Sequence, residues 1–301
     1  MLPEKSHPQE IMQTLHKSIA ILETKARNSI MQYLGVQYSA KGGFLNRGDE
    51  VDLYYTQFGL SCALVLNMEL PLDNIKAYLH NFAPENLNLV DLSILVRCFS
   101  LLAIFKNGRL QPDNIAAYTD ALAKFRTTNG SYSYDGGGAG FPYPIFLALN
   151  LLQDLNLPIP GKEEILNSLD SYRSADGKFF NPESDSGGML LSTIAAILTI
   201  RQLTGVVDKT ALAWVAEHYA RNGGFKSLPE SELPDLLSTA IALFSLSVCG
   251  YDMQQFKSSS QQFIIDHWLD SGEFTATLLD DRGDCEYTYY GLLALGALRD
   301  V

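Results

Sequence analysis

One short unit recurs along the chain: glycines, then an aromatic residue, and behind them an apolar helix. The stretches KGGFLNRGDEVDLYYTQFGLSCALVL, DGKFFNPESDSGGMLLSTIAAILTI and NGGFKSLPESELPDLLSTAIALFSL carry it. Its aromatic residues are Phe44, Tyr132, Phe179, Phe225 and Phe274, at intervals of 88, 47, 46 and 49 residues. Because 88 is nearly twice the other intervals, a degenerate copy after Phe82 completes six units. An internal period of roughly 45–50 residues indicates a repeat array or a closed ring.

Each unit is predicted to be a helix, a glycine-rich turn and a second helix. The first helix is amphipathic, whereas the second is apolar nearly all round and so needs neighbours on most sides. The second, inner helices are predicted to begin near Asp52, Leu89, Pro142, Gly188, Asp235 and Asp284. We therefore expect an all-α (α/α)6 toroid, a double ring of about twelve helices. An open solenoid of the HEAT type is the alternative.

The expected organisation is a single toroid domain over residues 1–301. It comprises an N-terminal helix over about 8–37 and the repeats over about 39–301. With 301 residues, 47% of them hydrophobic, the chain can bury a large core.

Bulk properties exclude several classes of function. The formal net charge of −12 opposes nucleic-acid binding, which needs a basic face. The sequence contains no apolar run of about 18 residues, so no transmembrane helix is predicted. Nor do the N-terminal residues contain the apolar stretch of a secretory signal. The cysteines lie far apart without a CxxC spacing. We therefore predict a reduced, cytoplasmic protein that is not an integral membrane protein.

The GGF turns, followed by VDLYYT or by DCEYTYYGLLAL, resemble the repeats of protein prenyltransferase β subunits and of squalene/terpene cyclases. The resemblance covers most of the chain. It implies the toroid fold and an isoprenoid or other hydrophobic small molecule held between the inner helices. It leaves open whether the chain works with a protein partner subunit.

The zinc chemistry of the protein prenyltransferases is not predicted here. Those enzymes hold zinc with an Asp, a Cys two residues later, and a His from a following repeat. Asp235 matches the Asp, but Leu237 stands at the Cys position and Tyr287 at the His position. We therefore expect no zinc and no required cofactor, although magnesium would be compatible with the acidic residues.

The last repeat partly matches the D-x-D-D-T-A motif of cyclases that protonate an alkene. Asp284, Glu286 and Thr288 match, while the fourth acid and the alanine are absent. The resemblance implies that Glu286 is the catalytic proton donor and Asp284 its partner, because burial beside a second acid raises a carboxyl pKa. Alternatively, Asp284 only caps its helix, as the equivalent Asp52 and Asp235 would.

Candidate substrate-binding residues are Asp52, Tyr54, Arg97, Tyr143, Asp235 and Tyr287. Tyrosine rings at the starts of inner helices can stabilise a carbocation or line an isoprenoid, although aromatics at helical spacing also form ordinary cores. Arg97 lies inside an apolar helix, where an unpaired charge is costly. It is predicted either to anchor an anionic group or to pair with an acid such as Asp91 or Asp52.

The predicted function is therefore an isoprenoid-binding enzyme of the prenyltransferase or terpene cyclase type, without the full zinc ligand set. Its reaction would be prenyl transfer to a small acceptor or acid-initiated cyclisation. The first alternative is a non-catalytic lipid-binding or scaffold protein that kept the repeats. The second is a glycan-processing (α/α)6 enzyme, with Asp52 and Asp284 as its paired acids.

Overall fold

The computed structural model describes residues 2–106, 115–180 and 189–301. In those ranges it has thirteen α-helices: α1 (His7–Ser18), α2 (Thr24–Gln37), α3 (Leu53–Val65), α4 (Leu72–Leu79), α5 (Leu89–Phe105), α6 (Ile115–Ala123), α7 (Pro142–Asp154), α8 (Lys162–Ser171), α9 (Met189–Thr204), α10 (Lys209–Glu217), α11 (Leu236–Val248), α12 (Lys257–Asp266) and α13 (Cys285–Ala297). The described strands form a small antiparallel sheet of β1 (Tyr38–Ser39), β2 (Gly43–Leu45) and β3 (Val51–Asp52). The all-α prediction is confirmed.

The inner helices begin where the repeats predict. α3, α5, α7, α11 and α13 start at or directly after the predicted positions. The predicted start at Gly188 lies outside the described residues, and α9 begins at Met189. Within the described ranges, no helix is long and apolar enough to cross a bilayer.

The chain divides into two compact units. The first unit comprises Met1–Gln9 and Asn81–Glu217, and the second comprises Glu10–His80 and His218–Val301. In the first unit, α7 packs between α5 and α9. In the second, α13 packs between α11 and α3. The organisation as one domain over residues 1–301 stays a prediction.

The contact between α3 and α13 excludes the open solenoid. These are the inner helices of the first and last repeats, yet they pack against each other in the second unit. An open array would keep its first and last repeats apart, because each repeat contacts only its neighbours.

The glycine turns of the repeats hold a left-handed backbone conformation. In the second unit, Gly42, Gly223 and Gly272 have φ of 100°, 100° and 111°. Each amide donates a hydrogen bond to the carbonyl three residues earlier. A Cβ at these positions would lie 2.1–2.3 Å from a backbone oxygen of a neighbouring segment. Glycine is therefore required both for the φ and for the close approach.

The aromatic residue of the repeat is fixed by a threonine of the following inner helix. The Phe44 amide donates to the Thr56 hydroxyl (2.9 Å), which in turn donates to the Asp52 carbonyl (2.6 Å). The fifth repeat repeats this pattern, with 2.8 Å from the Phe225 amide to the Thr239 hydroxyl. In these two repeats the turn is joined to the start of the inner helix in the same way, which places the caps Asp52 and Asp235 at equivalent points.

The predicted single helix over about 8–37 is wrong, since α1 ends at Ser18 and α2 begins at Thr24. At the end of α1 the buried Ser18 hydroxyl donates to the Leu15 carbonyl (2.7 Å), and the amides of Ile19 and Ala20 donate to carbonyls three residues earlier, both at 3.2 Å. The Arg27 side chain donates to the Leu22 carbonyl (3.0 Å) and so stabilises the break.

Candidate functional site

Three aspartates of the second unit cap their inner helices, as expected. Side-chain oxygens of Asp52, Asp235 and Asp284 accept hydrogen bonds from backbone amides three residues later, at 3.1, 2.7 and 2.8 Å. An N-cap acid satisfies an otherwise unpaired amide and interacts favourably with the helix dipole. Capping alone therefore does not distinguish Asp284 from the other two.

Asp284 differs from the other caps because its second oxygen is held by an arginine. Arg47, in the loop between β2 and β3, places Nε 2.6 Å from Asp284 Oδ2. The Arg47 guanidinium also lies 5.5 Å from the ring centroid of Tyr287. The Asp284 side chain is only 5% exposed, whereas Arg47 is 43% exposed. Asp284 was predicted to be the partner of Glu286, and this ion pair with Arg47 was not predicted.

Glu286, on the first turn of α13, is bonded to a tyrosine of α3. The Tyr54 hydroxyl donates to Glu286 Oε1 at 2.6 Å, and Glu286 is 9% exposed. Burial raises the Glu286 pKa above its ordinary value. The hydrogen bond from Tyr54 and the charge of Arg47 oppose this rise, while the charge of Asp284 adds to it. Glu286 therefore retains a proton to higher pH than an exposed glutamate does.

Aromatic rings from α3 and α13 pack beside this carboxyl group. The Tyr54 ring lies 4.9 Å from Phe58, and Phe58 lies 5.0 Å from Tyr289 and 5.8 Å from Tyr290. Tyr287 and Tyr290 are 6.3 Å apart. We call these five residues the aromatic cluster. Ring faces carry negative charge density, which suits them to contact a cation.

Two further candidates of the second unit act as caps. Both carboxylate oxygens of Asp235 accept hydrogen bonds from Ser238. Oδ1 accepts from the Ser238 amide and Oδ2 from the Ser238 hydroxyl, each at 2.7 Å. Burial raises the Asp235 pKa. Asp52 is half-buried and caps α3. Substrate binding by Asp52 and Asp235 stays a prediction.

The remaining candidates lie in the first unit. Arg97 Nη1 is 2.8 Å from Asp154 Oδ1, and the two side chains are 12% and 4% exposed. The predicted internal ion pair is thus present, but the prediction of Asp91 or Asp52 as the partner is wrong. Tyr143, in the first turn of α7, stacks on Phe146 at 6.3 Å. A role for Tyr143 in substrate binding stays a prediction.

The family's zinc site does not fit the residues present. Leu237 offers no donor atom at the Cys position. At the His position, burial raises the pKa of the Tyr287 phenol, which disfavours the phenolate form. The Cys285 thiol is buried, and its pKa is also raised. Among the described residues, no group of three or more His, Cys, Asp or Glu side chains is placed to hold a metal ion.

This chain is similar to known proteins over most of its length. The model of the prenyltransferase alpha-alpha toroid domain matches residues 11–91, 110–211 and 202–301. A protein from Actinoplanes is structurally similar, with 15% identity, a TM-score of 0.57, and coverage of 91% of this chain and 98% of that one. Curated protein sequences give no significant match.

The type II terpene cyclase MstE from Scytonema is similar as well. Its apo structure has 10% identity, a TM-score of 0.57, and coverage of 97% of this chain and 98% of that one. A variant of it in complex with geranylgeranyl dihydroxybenzoate has 12% identity, a TM-score of 0.56 and coverage of 95% and 97%. At these identities the likeness concerns the fold, and it agrees with the predicted toroid. Because the family model matches most of the chain, this protein belongs to the prenyltransferase alpha-alpha toroid domain family.

Proposed function

We propose that this protein is an enzyme that protonates an alkene of an isoprenoid chain and so starts a cyclisation, with Glu286 as the general acid. One observation carries the proposal: a buried carboxyl group with a raised pKa stands at the border of the aromatic cluster. A proton donor of this kind must keep its proton until the alkene reaches it, and burial favours the neutral acid.

The reaction would proceed in balanced steps. The O–H bond of Glu286 breaks as a C–H bond forms on one alkene carbon, leaving a carbocation and the Glu286 carboxylate. A second alkene of the same chain donates its π electrons to the cation and forms a C–C bond. Loss of a proton from the cyclised cation ends the reaction, and a proton from water restores Glu286. The net change is an isomerisation, which needs no oxidant.

The surrounding residues have defined roles in this proposal. Tyr54 donates to Oε1 of Glu286, so the transferable proton would reside on Oε2. Ring faces of the aromatic cluster would stabilise the carbocation. The structural likeness to a terpene cyclase in complex with geranylgeranyl dihydroxybenzoate supports a prenylated substrate.

Prenyl transfer from a diphosphate is less well supported, because it requires cations that are available to the phosphates. Arg47 is paired with Asp284 at 2.6 Å, and Arg282 with Asp49 at 2.9 Å. Both arginines are therefore engaged by acids of the protein itself. Protonation of an uncharged alkene makes no such demand.

The test is turnover of geranylgeranyl dihydroxybenzoate in D2O. The expected product is an isomer of the substrate that carries one solvent deuterium on carbon. Glu286→Gln removes the transferable proton and should lower the rate by about 10²–10⁴-fold. Glu273→Gln, which changes another buried glutamate of the second unit, is the matched control and should keep the rate.

Two outcomes would contradict the proposal. Equal rates for the wild type and Glu286→Gln would remove Glu286 as the acid. Tight binding of the substrate without any turnover would instead favour the non-catalytic lipid-binding protein. Binding is measured by tyrosine fluorescence quenching on the same samples.

A further inference from the structure

We propose that Arg47 is a positioning residue that sets the acid strength of Glu286 through Asp284. This inference rests on the proposed function. Arg47 pairs with Asp284, the cap of the helix that carries the acid.

The loop that carries Arg47 is built to hold one conformation. Asn46 Oδ1 accepts hydrogen bonds from the amides of Gly48 (2.8 Å) and Glu50 (3.1 Å), and the Asn46 amide donates to the Glu50 carbonyl (2.8 Å). Arg282 also donates to the Arg47 carbonyl at 3.2 Å. The backbone around Arg47 is thus held by several hydrogen bonds, and the Arg47 side chain reaches Asp284.

Arg47 and Glu286 are related through the first turn of α13, which Asp284 caps. Asp284 Oδ1 accepts a hydrogen bond from the Tyr287 amide, and Asp284 Oδ2 accepts one from Arg47 Nε. Both carboxylate oxygens at the start of α13 are therefore engaged. Glu286 lies in that same turn and is bonded to Tyr54. Without Arg47, the Asp284 side chain could reorient. The negative charge of Asp284 would then be uncompensated near Glu286.

The charged and titratable groups near this turn come from several elements. They are Asp52, Tyr54, Tyr55 and Cys62 of α3 and its cap, Arg47 of the β2–β3 loop, Tyr33 of α2, Asp235 at the start of α11, Glu273, Asp280 and Arg282 of the segment before α13, and Asp284, Cys285 and Tyr287 of α13 and its cap. Of those that shift the Glu286 pKa, the cation is Arg47, and its charge lowers that pKa. Asp284 raises it. Replacing Arg47 by a neutral residue should therefore raise the pKa of Glu286.

A higher pKa makes Glu286 a weaker acid that stays protonated to higher pH. For Arg47→Gln we expect kcat to fall on the order of tenfold, a smaller loss than for Glu286→Gln. The alkaline limb of the pH–rate profile should move to higher pH. KM should change little, since Arg47 does not contact the alkene in this proposal. Arg47→Lys keeps the charge and should restore most of both properties.

Arg173→Gln is the matched control. Arg173 is 39% exposed, is paired with the 9%-exposed Asp208, and lies over the ring of Phe179, so it closely resembles Arg47 in environment. It belongs to the first unit and is not among the groups that shift the Glu286 pKa. Its replacement should leave the alkaline limb in place.

Carboxyl-carbon NMR of protein labelled with 13C-glutamate measures the same quantity without turnover. The Glu286 signal is assigned by its loss in Glu286→Gln, and thermal unfolding verifies that each variant is folded. A titration midpoint at higher pH in Arg47→Gln, but not in Arg173→Gln, supports the proposal. An unchanged midpoint overturns it even if the wild type is an active cyclase. Absence of turnover with a shifted midpoint would reject the proposed function while leaving the Arg47–Glu286 coupling intact.

Discussion

Each unit of the protein contains a buried aspartate paired with an arginine, but the two pairs differ in solvent access. In the first unit, Asp154 is buried and Arg97 is mostly buried, with side chains 4% and 12% exposed. In the second, Asp284 is buried but Arg47 is 43% exposed. A pair buried on both sides forms part of the core. A pair open on its cationic side can respond to solvent, salt or a bound molecule.

Burial shifts the pKa of a neighbouring titratable group beside each pair, and the two shifts have opposite signs. Beside Arg97, His7 is buried and bonded to Asn150 at 2.9 Å, and burial lowers the His7 pKa to about 3. Beside Arg47, burial raises the pKa of Glu286. Both environments favour a neutral side chain, and both side chains are hydrogen-bonded, but only the neutral glutamic acid borders the aromatic cluster. This difference supports a structural role for the groups around Arg97 and is consistent with the proposed catalytic role of Glu286.

The largest effect on stability is expected from breaking the more deeply buried pair, Arg97–Asp154. Asp154→Ala would leave the Arg97 charge buried without its carboxylate, which costs about 3–5 kcal/mol of unfolding free energy. Asp284→Ala should cost less, about 1–2 kcal/mol, because the exposed Arg47 can be hydrated and mainly the cap is lost. Urea unfolding of both variants checks the order. Equal losses would show that solvent access does not separate the two pairs.

The next effect is a pH dependence that arises from His7. Because the folded-state pKa is lowered to about 3 from 6.5, protonation favours the unfolded chain. The His7 contribution is complete above pH 6.5 and is lost as the pH falls from 6.5 towards 3, at a limiting slope of about 1.4 kcal/mol per pH unit.

The variant His7→Gln should flatten this part of the stability curve. His16→Gln, at an exposed position on the same helix, is the matched control and should keep the wild-type slope. The measurement is urea unfolding at several pH values between 4 and 8. A slope in His7→Gln equal to that of the wild type would refute the assignment to His7.

Much of the fold could be predicted because the residues that determine the geometry of each repeat lie within that repeat. The glycine needs a left-handed φ, the phenylalanine needs a buried site, and a threonine of the next helix fixes the distance between them, as Gly42, Phe44 and Thr56 show. These are local requirements within about 15 residues. The break after Ser18 was missed because the hydrophobic pattern continues across it.

The site was harder to predict because its contacts are not local. Tyr54 and Glu286 are 232 residues apart, and Arg47 and Asp284 are 237 apart. The predicted ring closure did contain a usable signal, since it places the last repeat beside the first. From ring closure alone, one would predict that Asp284 and Glu286 contact side chains of the first repeat. No such rule selects Asp154 among the acids available to Arg97.

The smallest effect concerns the cap of α13 and tests the comparison directly. Asparagine caps a helix about as well as aspartate, so Asp52→Asn should cost only a few tenths of a kcal/mol. Asp284→Asn keeps the cap but loses the charge that pairs with Arg47, and we expect roughly 1 kcal/mol because the pair is half exposed. A double-mutant cycle with Arg47→Gln, read by urea unfolding, isolates this coupling. The coupling should weaken at about 1 M salt, since screening acts on a pair that solvent reaches. A coupling near zero at low salt would mean that the open pair does not stabilise the fold, and Arg47 would then act only on the properties of Glu286.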